Sequence, residues 1–304
     1  MAMGCSGKFI DIGANLLDPV FSGTYHGTQR HESDFEAVLL RSSSVGCNRI
    51  ILTAGMLSEA TEAIELIKSR SDNNDTSNSD SSEVRLYSTV GVHPTRCDEF
   101  KVSDITAHIE KLHSLIVENP NVVVAVGELG LDYDRLNFCS KEQQMIGFKA
   151  QLELARRTSL PLFLHNRNCD RDLLEVLKQN REMWEKGGGV VHSFDGSADL
   201  AREFIELGLY SGLNGCSLKT AENLEVIKTI PSNRILLETD APWCDIRATH
   251  AGHHLISTKF ESKKEKKFEM GITVKNRQEP CHIVQVLEVV AGARGEVSKP
   301  RDNI

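Results

Sequence analysis

Ile235-Leu236-Leu237-Glu238-Thr239-Asp240-Ala241-Pro242-Trp243 is an apolar run that stops at two carboxylates and a proline. A buried strand ending in an acid is how a β/α barrel delivers a metal ligand or a base to its catalytic face. Val122-Val123-Val124-Ala125-Val126-Gly127-Glu128 ends the same way, and Pro161-Leu162-Phe163-Leu164-His165 and Val190-Val191-His192 end in histidine. Glu, His, His and Asp are oxygen and nitrogen donors suited to divalent cations, so these four strand ends form a candidate ligand set.

Outward from these runs, short apolar stretches alternate with longer segments of helical period. Strands are predicted at Phe9–Gly13, Arg49–Thr53, Leu86–Val90, Val122–Gly127, Leu162–His165, Val190–Ser193, Leu209–Leu213 and Ile235–Thr239. Helical segments fall near Asp34–Ser44, Glu59–Ser69, Val102–Val117, Lys141–Arg157, Arg171–Gln179, Ala198–Leu207, Thr220–Lys228 and Cys281–Val290. That alternation implies parallel strands with crossover helices, and the strand count is that of a (β/α)8 TIM-type barrel forming a single domain over residues 1–304. Residues 71–83 are polar and nearly free of apolar side chains, which predicts a disordered insertion. Gly187-Gly188-Gly189 reads as a helix-to-strand turn, since no helix follows it directly as a phosphate loop would require.

The chain has 304 residues and a formal charge of −8, which argues against a protein that holds nucleic acid by bulk electrostatics. Charge is nevertheless segregated. Lys259 to Arg277 holds seven basic and three acidic residues, a local +4 against −12 for the remainder. This segment lies in the long stretch after the last strand, on the side where that strand ends, and there it would meet a phosphate chain; a solvated lysine-rich loop is the alternative. The eight cysteines stand singly with no Cys-x-x-Cys pair, which suits a reducing compartment. Met1 to Lys8 contains no apolar stretch, and no run approaches a membrane span. The expectation is a monomer, not secreted and not bound to a membrane, in the nucleus or cytoplasm. Lys263-Lys264-Glu265-Lys266-Lys267 favours the nucleus if it is a localisation signal and not only part of the basic loop.

Glu128 is the first choice for a ligand shared between two cations, because a carboxylate offers two oxygens. His165 and His192 supply neutral nitrogens. Asp240 combines a ligand's role with that of a base for the attacking water, making Asp240 and Glu128 the catalytic candidates. Glu238 shares the face of Asp240 by the period of two but lies deeper, and is assigned a structural role. His93, in Gly91-Val92-His93-Pro94, and Asp11 and Asn15 at the first strand are sited to meet substrate or a metal-held water. Tyr133 and Arg135 are candidates for base stacking and phosphate pairing, with a plain surface loop as the alternative reading. Arg277, closing the basic stretch, completes the candidate substrate contacts, which are His93, Asn15, Tyr133, Arg135 and Arg277.

Together, Phe9-Ile10-Asp11-Ile12-Gly13-Ala14-Asn15-Leu16, Gly91-Val92-His93-Pro94, Gly127-Glu128-Leu129-Gly130-Leu131-Asp132-Tyr133, His192-Ser193-Phe194 and Leu237-Glu238-Thr239-Asp240-Ala241-Pro242 resemble the TatD family of metal-dependent deoxyribonucleases, among the amidohydrolase-like barrels. Asn214-Gly215-Cys216-Ser217-Leu218-Lys219 and Thr249-His250-Ala251-Gly252 are similar to its eukaryotic TatD domain-containing branch. The resemblance implies cleavage of DNA phosphodiesters with one or two divalent cations, commonly 3′-to-5′ exonucleolytic, with endonucleolytic cutting as a second mode. It implies Glu128, His165, His192 and Asp240 as metal ligands. Where many relatives carry His-x-His in the first strand, Gly13 and Asn15 stand here, which favours Mg2+ or Mn2+ over tightly held Zn2+. Residues 292–304 depart from the family's closing helix and are expected to form a divergent tail with altered closure. Two rival readings are a metallohydrolase on another ester, such as D-aminoacyl-tRNA, and a catalytically impaired DNA-binding or scaffold protein.

Overall fold

The computed structural model describes residues 9–73, 83–100 and 104–296. Eight parallel strands form one sheet in chain order: β1 (Phe9–Ala14), β2 (Cys47–Leu52), β3 (Arg85–Val90), β4 (Val123–Asp132), β5 (Leu162–Arg167), β6 (Gly189–Val191), β7 (Tyr210–Leu213) and β8 (Ile235–Leu237). The sheet curls so that its ends meet. Ala14 bridges to Ala241, the Asp240 amide donates to the Gly13 carbonyl at 2.8 Å, and the Asn15 amide donates to the Ala241 carbonyl at 2.6 Å. Asp11 reinforces this seam, accepting from the Thr239 amide at 3.0 Å and the Thr239 hydroxyl at 2.5 Å. Wholly buried there, Asp11 serves closure and not the substrate contact expected of it.

Between the strands run α1 (Phe35–Ser44), α2 (Leu57–Asn73), α3 (Ile105–Val117), α4 (Lys141–Thr158), α5 (Asp170–Gln179), the single turn α6 (Arg181–Trp184), α7 (Ala198–Glu206) and α8 (Ala221–Thr229), with α9 (Ile283–Arg294) last. A large apolar core lies between these helices and the outer strand faces. A second, small cluster of Ile12, Ala125, Phe163 and Val190, joined by Ile51 and Leu236, draws on six strands and fills the barrel interior. Gly187 and Gly188 both donate their amides to the Trp184 carbonyl, making the expected turn into β6. Among the described residues no helix is long and apolar enough to cross a membrane.

Three of the shifted boundaries bear on the insertion, the site and closure. α2 runs through Asn73, so the first residues of the expected 71–83 insertion are helical, and residues 74–82 of that call lie outside the described residues. β4 continues past Gly127 to Asp132. α9 passes Gly292 and ends at Arg294 against a left-handed Gly295, while residues 297–304 of the expected tail lie outside the described residues. Val286, Val289 and Val290 belong to the main core, and Arg294 Nη1 donates to the Ile227 and Ile230 carbonyls at 2.8 and 2.5 Å. The closing helix is therefore docked on α8 despite its divergent sequence.

Candidate metal centre

β4 supplies the first carboxylate. Its pairing with β5 shifts register between Gly127 and Leu129, and Gly130 then stands opposite His165. Glu128 Oε1 thereby lies 2.6 Å from His165 Nδ1 and 2.8 Å from His192 Nε2, with the two ring nitrogens 3.4 Å apart. His93 Nε2 is 3.6 Å from the same oxygen. All but His93 are buried. Burial would raise the Glu128 carboxyl, but His192, His93 and His165 outweigh it and hold the group well below the usual carboxylate range. Burial would likewise lower His192, but Glu128 and Glu238 prevail and hold it well above its ordinary value. His93, where burial wins over Glu128, falls to about 3.

Each buried imidazole has a second carboxylate behind it. Asp132 Oδ2 is 3.3 Å from His165 Nε2, and Glu238 Oε1 is 3.5 Å from His192 Nδ1. Glu238 is itself fixed, accepting from the Ser193 amide at 2.5 Å and from Asn214 Nδ2 at 3.0 Å. Such outer carboxylates set ring orientation and raise ligand basicity at metal centres. Among the described residues two donor triplets converge to within 4.8 Å, Glu128–His165–His192 and His93–Asp132–His165. They share His165, whereas the family resemblance makes Glu128 the shared ligand.

Asp240 follows β8 in a left-handed conformation at φ 53°. It lines the same cleft of about 500 Å³ as Glu128, His165 and His192, outside the two triplets. Asn15 Nδ2 donates to its Oδ1 at 3.1 Å and the Cys244 thiol to its Oδ2 at 3.2 Å. Burial pushes its carboxyl up to about 6; His192 opposes this, and the charges of Glu238 and Glu128 add to it. Gly13 stands at one of the two first-strand positions where the resemblance would put a histidine. A Cβ there would stand 2.9 Å from Phe163 Cζ and 3.2 Å from Glu238 Oε2, so the phenyl ring occupies the space a side chain would need.

Of the expected substrate contacts, His93, Asn15 and Arg135 line the cleft. Tyr133 does not: its hydroxyl donates to Asp172 Oδ2 at 2.7 Å and Lys141 Nζ sits 4.3 Å over its ring. Arg277 is placed away from the cleft altogether. It is buried in a fork with Asp34 Oδ2 at 2.5 Å and Glu279 Oε1 at 2.8 Å. The lysines of the basic loop do not line the cleft either: Lys259, Lys264, Lys266, Lys267 and Lys275 are exposed, while Phe268 stacks on His31 at 4.0 Å between ring centroids. The cations at the cleft are instead Arg96, Arg135, Arg167 and Lys219, and Trp243 stands at its rim, about half exposed. Sequence reasoning found Arg135 but missed Asp132, Arg96, Arg167 and Lys219. For Asp132 a signal existed, since Glu128, Gly130 and Asp132 alternate with Leu129 and Leu131 along one strand.

The pattern of the family described as TatD related DNase matches residues 10–300. The chain is 42% identical over 293 residues to the Deoxyribonuclease Tat-D of Schizosaccharomyces pombe, covering 94% of this chain and 89% of that one. It is 30% identical to the 3′-5′ ssDNA/RNA exonuclease TatD of Erwinia tasmaniensis, covering 94% and 92%. Among solved structures, a TatD family hydrolase of Entamoeba histolytica superposes with a TM-score of 0.86 at 35% identity over 97% of this chain and 93% of that one. An uncharacterized amidohydrolase of Saccharomyces cerevisiae gives 0.84 at 33% identity, over 95% of each chain. With barrel, buried cage and sequence in agreement over nearly its whole length, the chain belongs to the TatD-related DNase family.

Proposed function

We propose that this chain is a deoxyribonuclease that hydrolyses phosphodiester bonds of single-stranded DNA from the 3′ end, using Mg2+ or Mn2+. The observation that carries the reading is the single oxygen, Glu128 Oε1, facing both His165 Nδ1 and His192 Nε2 in a buried pocket. Two further facts fit a cation. His165 Nε2 and Asp132 Oδ2 face one another without a formed hydrogen bond, and the donor set mixes carboxylate with imidazole. Glu128, His165 and His192 would hold the ion, with His93 and Asp132 alongside. A divalent cation there supplies Lewis acidity toward the phosphoryl group.

The protein's own groups do the rest. Asp240, oriented by Asn15, takes the proton of the attacking water, and Arg96, Arg135, Arg167 and Lys219 neutralise the phosphates entering the cleft. Supporting the substrate are the names of the relatives, a deoxyribonuclease in fission yeast and an exonuclease on single-stranded nucleic acid in Erwinia. The test is a 5′-labelled single strand incubated with the metal-free protein and then with Mg2+, Mn2+ or Zn2+. A ladder shortening one nucleotide at a time from the 3′ end, abolished by chelator, is expected. Metal-independent cutting, or no cutting with any cation, would overturn the reading.

Trp243 adds a second expectation. An exposed indole at the rim is suited to stack on an unpaired base, an interaction worth about 1–3 kcal/mol. Trp243→Ala should therefore raise KM for single strands by about tenfold with kcat little changed. An unchanged KM would assign the indole no part in binding.

A further inference from the structure

Of the seven described cysteines, five are buried and two, Cys216 and Cys244, reach solvent. They lie on the loops after β7 and β8, and both line the cleft of the metal centre. Their sulfur atoms are 2.8 Å apart, in thiol-to-thiol contact, although the residues are 28 positions apart in sequence.

The local chain is built for this contact. Cys216 belongs to the short 3-10 turn Gly215–Leu218, with its amide donated to Asn214 Oδ1 at 2.8 Å. Gly215 lets the loops touch, because a Cβ there would lie 1.9 Å from the Cys244 carbonyl oxygen. Cys244 itself adopts φ 57°, a region where a side chain is sterically disfavoured. The same Cys244 thiol lies 3.2 Å from Asp240 Oδ2, so the pair touches the active centre directly.

We propose that Cys216 and Cys244 form a redox-active dithiol that takes hydrogen peroxide as its oxidant and, as a disulfide, switches the adjoining centre off. The Cys216 sulfur attacks one peroxide oxygen, an S–O bond forms, the O–O bond breaks, and the departing oxygen leaves as water. Cys244 sulfur then attacks the resulting sulfenic acid; the S–S bond forms, the S–O bond breaks, and the second oxygen leaves as water with the Cys244 proton. Two thiols are oxidised and one peroxide is reduced to two waters. Cys216 suits the attacking role. Contact with the Cys244 sulfur pulls its thiol down to about 7, burial opposes this, and Lys219 assists. Bond formation brings the sulfurs from 2.8 Å to about 2.05 Å, a small movement. It removes the proton that Cys244 donates to Asp240 and ties the loop bearing Trp243 to its neighbour.

The dithiol chemistry stands apart from the nuclease reading, and only its effect on turnover rests on it. The full chain would be oxidised with hydrogen peroxide without added metal, alkylated, digested and mapped by mass spectrometry under non-reducing conditions. A linked peptide joining Cys216 to Cys244, reversed by dithiothreitol, is expected. With it, Mn2+-dependent hydrolysis should fall by about tenfold, the scale of a lost hydrogen bond to a charged group, and return on reduction. Cys216→Ser should keep its turnover through peroxide treatment, with Cys216→Ala as the second variant should serine disturb folding. Free, alkylatable thiols at both positions after oxidation would overturn the proposal, as would equal inhibition of the Cys216 variants. If the reduced protein hydrolyses no DNA, the nuclease reading fails while the peptide map still decides the dithiol.

Discussion

Glu128→Gln is expected to lower turnover on single-stranded DNA by about 10³-fold, the upper range for losing one preorganised electrostatic group at a reacting centre. The substitution is nearly isosteric and removes one negative charge. That charge faces His165, His192 and His93 within 3.6 Å, so the variant loses the anionic donor of the Glu128–His165–His192 triplet. Mn2+ affinity, measured by calorimetry, should fall with it by more than the roughly 10–100-fold typical of an outer-layer change. The folded state should survive, because glutamine fills nearly the same volume and His165 and His192 keep Asp132 and Glu238 as partners. A merely structural Glu128 would behave in the opposite way, with near-normal turnover and a lowered melting temperature. Undiminished cleavage would remove Glu128 from the centre.

Much of this geometry was legible because parallel strands buried on both faces read as continuous apolar runs, and the polar residue ending each run is conspicuous. Glu128, His165, His192 and Asp240 were found this way, and the structure brings all four to one cleft. Asp132 was obscured by the shift in register at Gly127, past which β4 continues for a further turn of its alternation. Arg277 was misplaced for a different reason. A charge count does not show which cations are buried, and burial is decided by partners remote in sequence: Arg277 meets Asp34 across 243 positions. The Cys216–Cys244 contact is equally invisible along the chain, since it depends on adjacent barrel loops meeting at Gly215. The docking of α9 is likewise remote in sequence: Arg294, within the 292–304 segment expected to diverge, reaches the Ile227 and Ile230 carbonyls at the end of α8.

Arg277→Met is expected to destabilise the protein by about 3–5 kcal/mol, the range for removing one partner of a buried ion pair. Asp34 and Glu279 are almost fully buried and both bond the Arg277 fork. Arg41 also reaches both carboxylates, at 3.1 and 2.7 Å, but one cation would then face two buried anions. The network joins the first helix to the segment leading into α9, so its loss should loosen the seam on which closure depends. Melting should drop by several degrees, on the order of 5–10 °C for a chain of this size. Arg277→Lys should fall between wild type and Met, since an ammonium keeps the charge but not the two-pronged geometry. Turnover per folded molecule, KM for DNA and the salt dependence of binding should all stay at the wild-type values. A phosphate-contacting arginine gives the reverse pattern, with unchanged melting, weaker DNA binding and a salt slope reduced by about one. Measuring melting and salt slope on the same two variants therefore decides whether this guanidinium belongs to the frame or to the substrate path.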